Sequence, residues 1–427
     1  RSARGRFWVA LLGFAGLALL TGGVLLAGGP SSVDLVPVAV GLVTWVVVLS
    51  LLTEPLRRHG TAAADGTATE AGHEHGRRQF LTRALVLGGL AVVGGAAGKV
   101  LGTGRRKVEE TRRLLRLEGV SSPDVPTGST VSNRITPWQT PVEDFYRIDT
   151  AIVVPAIEPA DWSLRIHGLV DREVVLTYDD LLARGLTDAW VTINCVSNPI
   201  GGTLIGNAWW SGVRLADLLA EAGVQEGADA VLQTSEDGWN CGTPLEALTD
   251  ERNAMLAVAM NGAPLTLDHG FPVRTIVPGL YGYVSATKWV VDMEVTRFAD
   301  ITAYWTQRGW GEKGPVKIAS RIDTPRSGST VEAGEVTLGG VAWHQHTGIS
   351  AVQVSLDGGA WRDADLGTVP SVDTWVQWRL TADVGPGDHL VRVRAVGADG
   401  EVQTDVVRDV LPDGATGLHT IDFEASA

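Results

Sequence analysis

Hydrophobic and polar positions divide this chain into an apolar head and an alternating body. Residues 7–29 and 35–52 are apolar runs without a charged side chain, separated by the turn-forming Gly28-Gly29-Pro30-Ser31-Ser32. Each is close to the ~20 residues that cross a bilayer core. The pattern therefore predicts a hairpin of two transmembrane helices in preference to a pair of buried core helices. Arg1, Arg4 and Arg6 precede the first run, and Arg57 and Arg58 follow the second. By the positive-inside rule both ends lie in the cytoplasm. A polar loop containing His59, His73 and His75 leads to Arg77-Arg78-Gln79-Phe80-Leu81 and then to a weakly apolar Gly/Ala/Val stretch, residues 85–98. Paired arginines before Phe-Leu and such a stretch read as a twin-arginine export signal. The same residues also read as positive-inside anchors of a third span. Both readings place the chain after about residue 104 outside the cytoplasm. The spans carry no histidine, so a haem held between them is not expected.

The body begins with a basic, helix-capable piece (residues 105–117) and a Ser/Pro/Thr/Gly-rich stretch, so 105–141 reads as a linker. Over 142–318 strand and helix patterns mix. Residues 162–168 alternate as a strand, 178–183 form a short helical pattern, and 189–195 read as a buried strand. Residues 213–222 repeat apolar positions at helical spacing and stop at Gly223, and 271–277 and 288–296 again favour strands. This is an α+β domain. From 319 to 427 the pattern is alternation alone, over 336–343, 351–356, 361–364, 374–381 and 389–396, with turns at Asp357-Gly358 and Asp399-Gly400. A β-sandwich of immunoglobulin-like type is expected there.

Composition narrows the function classes. A net charge of −14 argues against nucleic acid, because a backbone binder needs clustered Lys and Arg to displace phosphate counterions. Two cysteines, Cys195 and Cys241, are too few for a disulfide scaffold or a four-thiolate zinc site. No Cys-x-x-Cys-His is present, so no c-type haem is built in. Cys195 stands at the end of a predicted strand, before the glycine-rich residues 200–206. A thiolate in that position can ligate a soft metal or act as a nucleophile. A disulfide to Cys241 is equally compatible with an exported domain, and the residues alone leave the two open.

A resemblance separates them. Asn194-Cys195-Val196-Ser197-Asn198, followed by Ile205-Gly206-Asn207-Ala208-Trp209-Trp210-Ser211-Gly212-Val213, resembles the cofactor-binding domain of the sulfite oxidase family of molybdopterin enzymes. Met260-Asn261-Gly262-Ala263-Pro264-Leu265, His269-Gly270-Phe271-Pro272-Val273-Arg274, Val277-Pro278-Gly279-Leu280-Tyr281-Gly282 and Lys288-Trp289 continue it in order. The sandwich is similar to the family's dimerisation domain, which implies a homodimer. The resemblance implies molybdenum held by the Cys195 thiolate and by one pyranopterin dithiolene. It implies that Tyr146, Arg147 and Asp149 wrap the pterin, and that Asp237, His269, Arg274, Ser285 and Lys288 hold its ring and phosphate. It sets Arg165 beside the metal to meet an oxyanion, and Trp310 where the family has a catalytic tyrosine.

The departures bear on the substrate. Pro199 and Ile200 stand where sulfite oxidases carry a second arginine, and His346-Thr347-Gly348 replaces a third. A dianion would lose charge-assisted binding in such a pocket. The expected activity is two-electron oxygen-atom transfer on a small substrate, with a separate electron carrier or quinone-linked partner. A sulfoxide reductase of the same family, methionine sulfoxide included, is the alternative direction. A membrane-anchored binding module with a Cys195–Cys241 disulfide is the non-enzymatic one.

Overall fold

The computed structural model describes residues 104–427, together with Thr44, Val48, Thr82, Leu85 and Val86. Apart from those five positions and Gly104, the expected transmembrane hairpin (1–78) and the signal or third span (79–104) lie outside the described residues. Among the described residues no helix is long and apolar enough to cross a membrane.

Residues 106–427 form one compact unit. It opens with a helix, α1, described over residues 104–114. The α+β lobe then follows the sequence pattern closely. In β1 (Ser163–Gly168) alternation buries Leu164 and Ile166 and turns Arg165 outward. Next come β2 (Val174–Thr177), helix α2 (Tyr178–Leu182) and β3 (Thr187–Asn194). A capping box starts α2: Thr177 accepts from the Asp180 N–H, and Asp180 accepts from the Thr177 N–H. After β4 (Ile205–Arg214) comes α3 (Leu215–Ala222), which buries Leu215, Leu218, Leu219 and Ala222. It stops at Gly223, whose φ of 73° suits the left-handed cap that glycine takes most easily.

The remaining elements are β5 (Ala230–Ser235), β6 (Asn240–Pro244), α4 (Leu245–Thr249), β7 (Met255–Met260), β8 (Ala263–Pro264), β9 (Arg274–Ile276) and β10 (Val290–Thr296). One sheet runs β2-β1-β10-β5-β6; the other runs β3-β4-β7-β8, with β9 added on β7. All six residues of β7, Met-Leu-Ala-Val-Ala-Met, are buried, as a short continuous apolar strand in a sheet interior should be.

The expected sandwich is present. One sheet contains Ala319–Thr324, Gly334–Trp343, Val376–Val384 and Asp365–Leu366. The facing one contains Ser329–Glu332, Thr420–Ser426, Gly387–Gly397, Ile349–Leu356 and Arg362–Asp363. Leu338, Val352, Trp378, Val391, Val393 and Phe423 fill the space between them.

The stretch expected as a linker is packed instead. Trp138 is 1% exposed and Ile135 5%. The Val131 N–H donates to Gln377 Oε1, and Gln377 Nε2 donates to the Thr136 carbonyl. Trp138 and Trp375 each donate an indole N–H to the other's carbonyl, at 3.3 and 2.8 Å. Ser, Thr and Pro are abundant here because an irregular segment needs side-chain and backbone partners it does not find in a ladder.

Candidate active site

Strand β3 ends at Asn194 and delivers Cys195 into a braced loop. The Cys195 N–H donates to the Leu204 carbonyl at 2.9 Å, the Asn198 N–H to the Cys195 carbonyl at 3.0 Å, and the Leu204 N–H to Asn198 Oδ1 at 2.9 Å. A Cβ on Gly202 would lie 2.3 Å from Asn198 Oδ1, so glycine is required for that brace. The Cys195 thiol is 8% exposed and free. Burial pushes its pKa up, while hydrogen bonds from the Ser197 backbone and hydroxyl oppose the shift by favouring the thiolate.

The expected alternative of a disulfide does not hold. Cys241, on β6, is also free and buried, with Sγ 3.3 Å from Thr287 Oγ1. Burial raises its pKa to about 11. Sequence position alone could not show that the two sulfurs belong to different environments.

Cys195 opens into a cavity of about 860 Å³, counting the open solvent at its mouth. Tyr146, Asp149, His269, Arg274 and Lys288 are among its lining residues. Arg274 is 4% exposed; Nη1 donates to the His269 carbonyl at 3.2 Å, the guanidinium lies 5.3 Å from the Trp210 ring centroid, and Nε is buried without a partner. Burial lowers its pKa to about 10, which leaves it charged at neutral pH. Lys288 Nζ donates to Asp149 Oδ2 at 2.8 Å and to the Asp268 carbonyl at 2.9 Å. Burial lowers the Lys288 pKa to about 8, against the opposing pull of Asp149. His269 is neutral, its pKa lowered to about 4 by burial and then by Arg274 and Lys288, and its Nε2–H donates to the Val142 carbonyl. Gly270, at φ 104°, lets the two cations converge: a Cβ there would meet Arg274 Cβ at 3.0 Å and Lys288 Cβ at 3.1 Å.

Trp239, Tyr283, Trp305 and Trp310 form an aromatic part of its wall. Ring centroids of Tyr283 and Trp310 lie 5.8 Å apart, and those of Trp305 and Trp310 6.3 Å. The Tyr283 hydroxyl donates to the Gly311 carbonyl at 2.6 Å, and the Gly311 N–H donates to the Pro412 carbonyl at 2.8 Å, so a sandwich loop holds this wall.

Eight of the eleven residues expected from the sequence, Tyr146, Cys195, Asp149, Asp237, His269, Arg274, Lys288 and Trp310, line this one cavity. Three do not. Arg165 lies on the outer face of β1, half-exposed, with Nη2 donating to Glu173 at 2.7 Å. The alternation of β1 buries its two neighbours and forbids an inward arginine. Ser285 is buried, but its hydroxyl is spent on the Tyr281 and Leu280 carbonyls within its own loop. Arg147 is half-exposed beside the cavity and pairs with Asp149 at 3.0 Å and Asp268 at 3.3 Å. Trp239 lines the cavity beside Trp310, while Trp210 is core, donating to the Val191 carbonyl. Sequence reasoning missed Ser235, Tyr283 and Trp305, which β5 and two loops bring in from far along the chain.

The residues present fit a molybdenum–pterin cofactor. A free thiol suits a soft metal, and a converging arginine and lysine suit a buried phosphate. Arg274 Nε, buried and unpartnered beside the cavity, is a donor that a bound ligand can complete.

Comparison with known proteins agrees. The oxidoreductase molybdopterin binding domain family matches residues 151–305. The uncharacterized oxidoreductase YuiH of Bacillus subtilis (strain 168) is 34% identical over 183 residues, 43% of this chain and 89% of that protein. Human mitochondrial sulfite oxidase is 30% identical over 308 residues, 60% of this chain and 56% of that protein. The chain thus spans a little over half the length of the human enzyme. The crystal structure of the sulfane dehydrogenase SoxCD from Paracoccus pantotrophus is similar with a TM-score of 0.59 at 25% identity, covering 66% of this chain and 80% of that one. A matching family domain, a relative covered over nearly its whole length and a shared fold converge on one conclusion: the chain belongs to the sulfite oxidase family of molybdopterin oxidoreductases and is a molybdenum-cofactor enzyme.

Proposed function

We propose that this enzyme transfers an oxygen atom, with two electrons, to or from a small substrate seated between Cys195 and the aromatic wall. The observation that carries the reading is the free Cys195 thiol opening into the same cavity as the unpartnered Arg274 Nε. When bound, the molybdenum supplies the two-electron oxygen-atom chemistry, which is the cofactor's own. The chain supplies the rest. Cys195 gives up its proton as the metal binds, helped by the Ser197 hydrogen bonds. Arg274 and Lys288 hold the anionic end of the cofactor, with Asp149 fixing the Lys288 ammonium. Tyr146, His269 and Asp237 close around the ring, and the tryptophans exclude water.

Within that class we favour a neutral sulfoxide over the sulfite dianion. Among the described lining residues the Lys and Arg side chains are Arg274 and Lys288, both assigned to the cofactor, while the aromatic wall is uncharged. Pro199 and Ile200 bring no charge to the substrate side. Electrons pass to or from a separate carrier or a quinone-linked partner. Residues 7–29 and 35–52 anchor the protein, with the catalytic body outside the cytoplasm and its sandwich pairing with a second copy.

Elemental analysis of the purified chain tests the site: about one molybdenum per chain, lost in Cys195→Ser. Metal-free wild-type protein sinks the proposal. Sulfite with an acceptor dye against sulfoxides with a reduced dye tests the direction; turnover of sulfite alone would reverse the substrate reading.

A further inference from the structure

Among the described residues lining the cavity, two carry a buried side-chain polar atom without a hydrogen-bond partner: Arg274 through Nε and Ser235 through Oγ. The arginine was legible in the sequence. The serine was not. Ser235 is 3% exposed, so water cannot freely satisfy its hydroxyl, and leaving such a group unmade is costly. Native structures leave few buried polar groups unmade, and one beside a ligand cavity can be completed by the ligand.

The local fold explains why, of the polar groups of Ser235, the hydroxyl is left over. Ser235 is the last residue of β5, where the chain turns towards β6. Its N–H donates to the Trp239 carbonyl at 2.8 Å, and its own carbonyl accepts from the Gly238 N–H at 2.9 Å. Gly238, at φ 84°, closes the turn. Both main-chain groups are thus consumed by the hairpin, and the hydroxyl has no capping duty to perform. The same hairpin is tied to the segment that carries Lys288: the Glu236 N–H donates to the Trp289 carbonyl at 2.9 Å, and Ser235 pairs with Val290 across the sheet. Ser235, Asp237 and Trp239, alternate residues of this turn, all line the cavity. The hydroxyl is accordingly a free donor on a braced backbone. Ser285, the serine that the family resemblance pointed to, has its hydroxyl engaged by two carbonyls and is not available for the task.

We propose that Ser235 is a cofactor-binding residue whose hydroxyl donates a hydrogen bond to an acceptor atom of the bound pterin cofactor, completing the donor set begun by Arg274 Nε. The acceptor is a ring heteroatom or a phosphate oxygen; both are hydrogen-bond acceptors that a rotatable hydroxyl can meet. This inference rests on the cavity beside Cys195 being the cofactor site.

Ser235→Ala in the purified, cofactor-loaded enzyme provides the test. Pterin release on warming, followed by the fluorescence of the freed and oxidised pterin, should be roughly five- to tenfold faster than in wild type, the effect of one hydrogen bond. Release at the wild-type rate would overturn the assignment. Thermal unfolding separates binding from a structural role. The cofactor-free variant should melt at or above cofactor-free wild type, because an unsatisfied buried hydroxyl has been removed, while the loaded variant melts below loaded wild type. A lower melting point in the cofactor-free variant would make the hydroxyl structural and refute the proposal. Wild-type protein isolated without pterin would refute the reading of the cavity itself, whereas loaded wild type with an indifferent Ser235→Ala refutes only the role of Ser235.

Discussion

Lys288 shows how burial tunes a single residue for its task. Burial lowers its pKa to about 8, with Asp149 pulling the other way, so at pH 7 it remains an ammonium able to bind a phosphate. As pH rises through 8 the empty site loses that proton. Cofactor affinity should then fall, by up to about tenfold per pH unit between the pKa of the empty site and the higher pKa of the loaded one. The stability of the cofactor-free chain should move oppositely. Between about 8 and the ordinary lysine value of 10.5 the unfolded chain binds a proton that the folded one has released, so the Lys288 contribution makes the native state more stable as pH rises. Pterin retention and cofactor-free unfolding midpoints, measured from pH 7 to 10, should have opposite slopes; Lys288→Met should flatten both. Parallel slopes would assign the dependence to other groups. At this scale the sequence was readable wherever chemistry is scarce: a cysteine at a strand end and an Arg and Lys in a recognised order all reach the cavity. Arg165 was misread because side-chain direction follows from the pleat, and Leu164 and Ile166 had already claimed the inner face of β1.

At the scale of an element, the loop from Cys195 to Leu204 is the part that aims the thiol. Asn198 Oδ1 holds the Leu204 N–H, and Gly202 leaves the room for it. Asn198→Ala should cost about 1 kcal/mol for the lost hydrogen bond. Gly202→Ala should cost about 1–3 kcal/mol for the added methyl, which would strike the Asn198 amide and the Pro199 ring. Each should also reduce molybdenum per chain, because the sulfur is no longer held in place. The two changes break the same contact, so the double variant should lose clearly less than the sum of the singles. Strict additivity in denaturant titrations would show that the loop is not braced in this way. Helices α2 and α3 and five of the sandwich strands were legible from period and caps, since each sorts one apolar face from one polar face, and β3 from its short apolar run. β5 and β6 were not, because Gln233 and Thr243 are polar yet fully buried, hydrogen-bonded to each other at 2.7 Å. A polar residue in a core strand breaks the apolar signal while its partner, ten residues away, remains invisible to any local pattern.

For the whole molecule, the packed stretch before the α+β lobe is the least legible feature and the one that ties the lobes together. Its composition is that of a linker, yet Trp138 lies buried with its carbonyl accepting both Trp375 Nε1 and Asn207 Nδ2. Asn207 is on β4, next to β3, which leads into Cys195, and Trp375 is in the sandwich. The Thr192 N–H on β3 adds a direct tie to the Asp373 carbonyl at 3.0 Å. A lobe with its own core would ordinarily unfold by itself, but here the interface shares buried indoles and buried backbone partners with both sides. Residues 106–427 should therefore melt in a single transition. Trp138→Ala removes a large buried ring, a loss of about 3–5 kcal/mol, and leaves the Trp375 carbonyl without the indole N–H that donates to it. It should separate the lobes into two calorimetric transitions, with molybdenum lost at the one belonging to the α+β lobe. A variant that still unfolds in one step, with the calorimetric enthalpy equal to the van't Hoff value, would mean that the sheets alone couple the lobes and that Trp138 merely fills space.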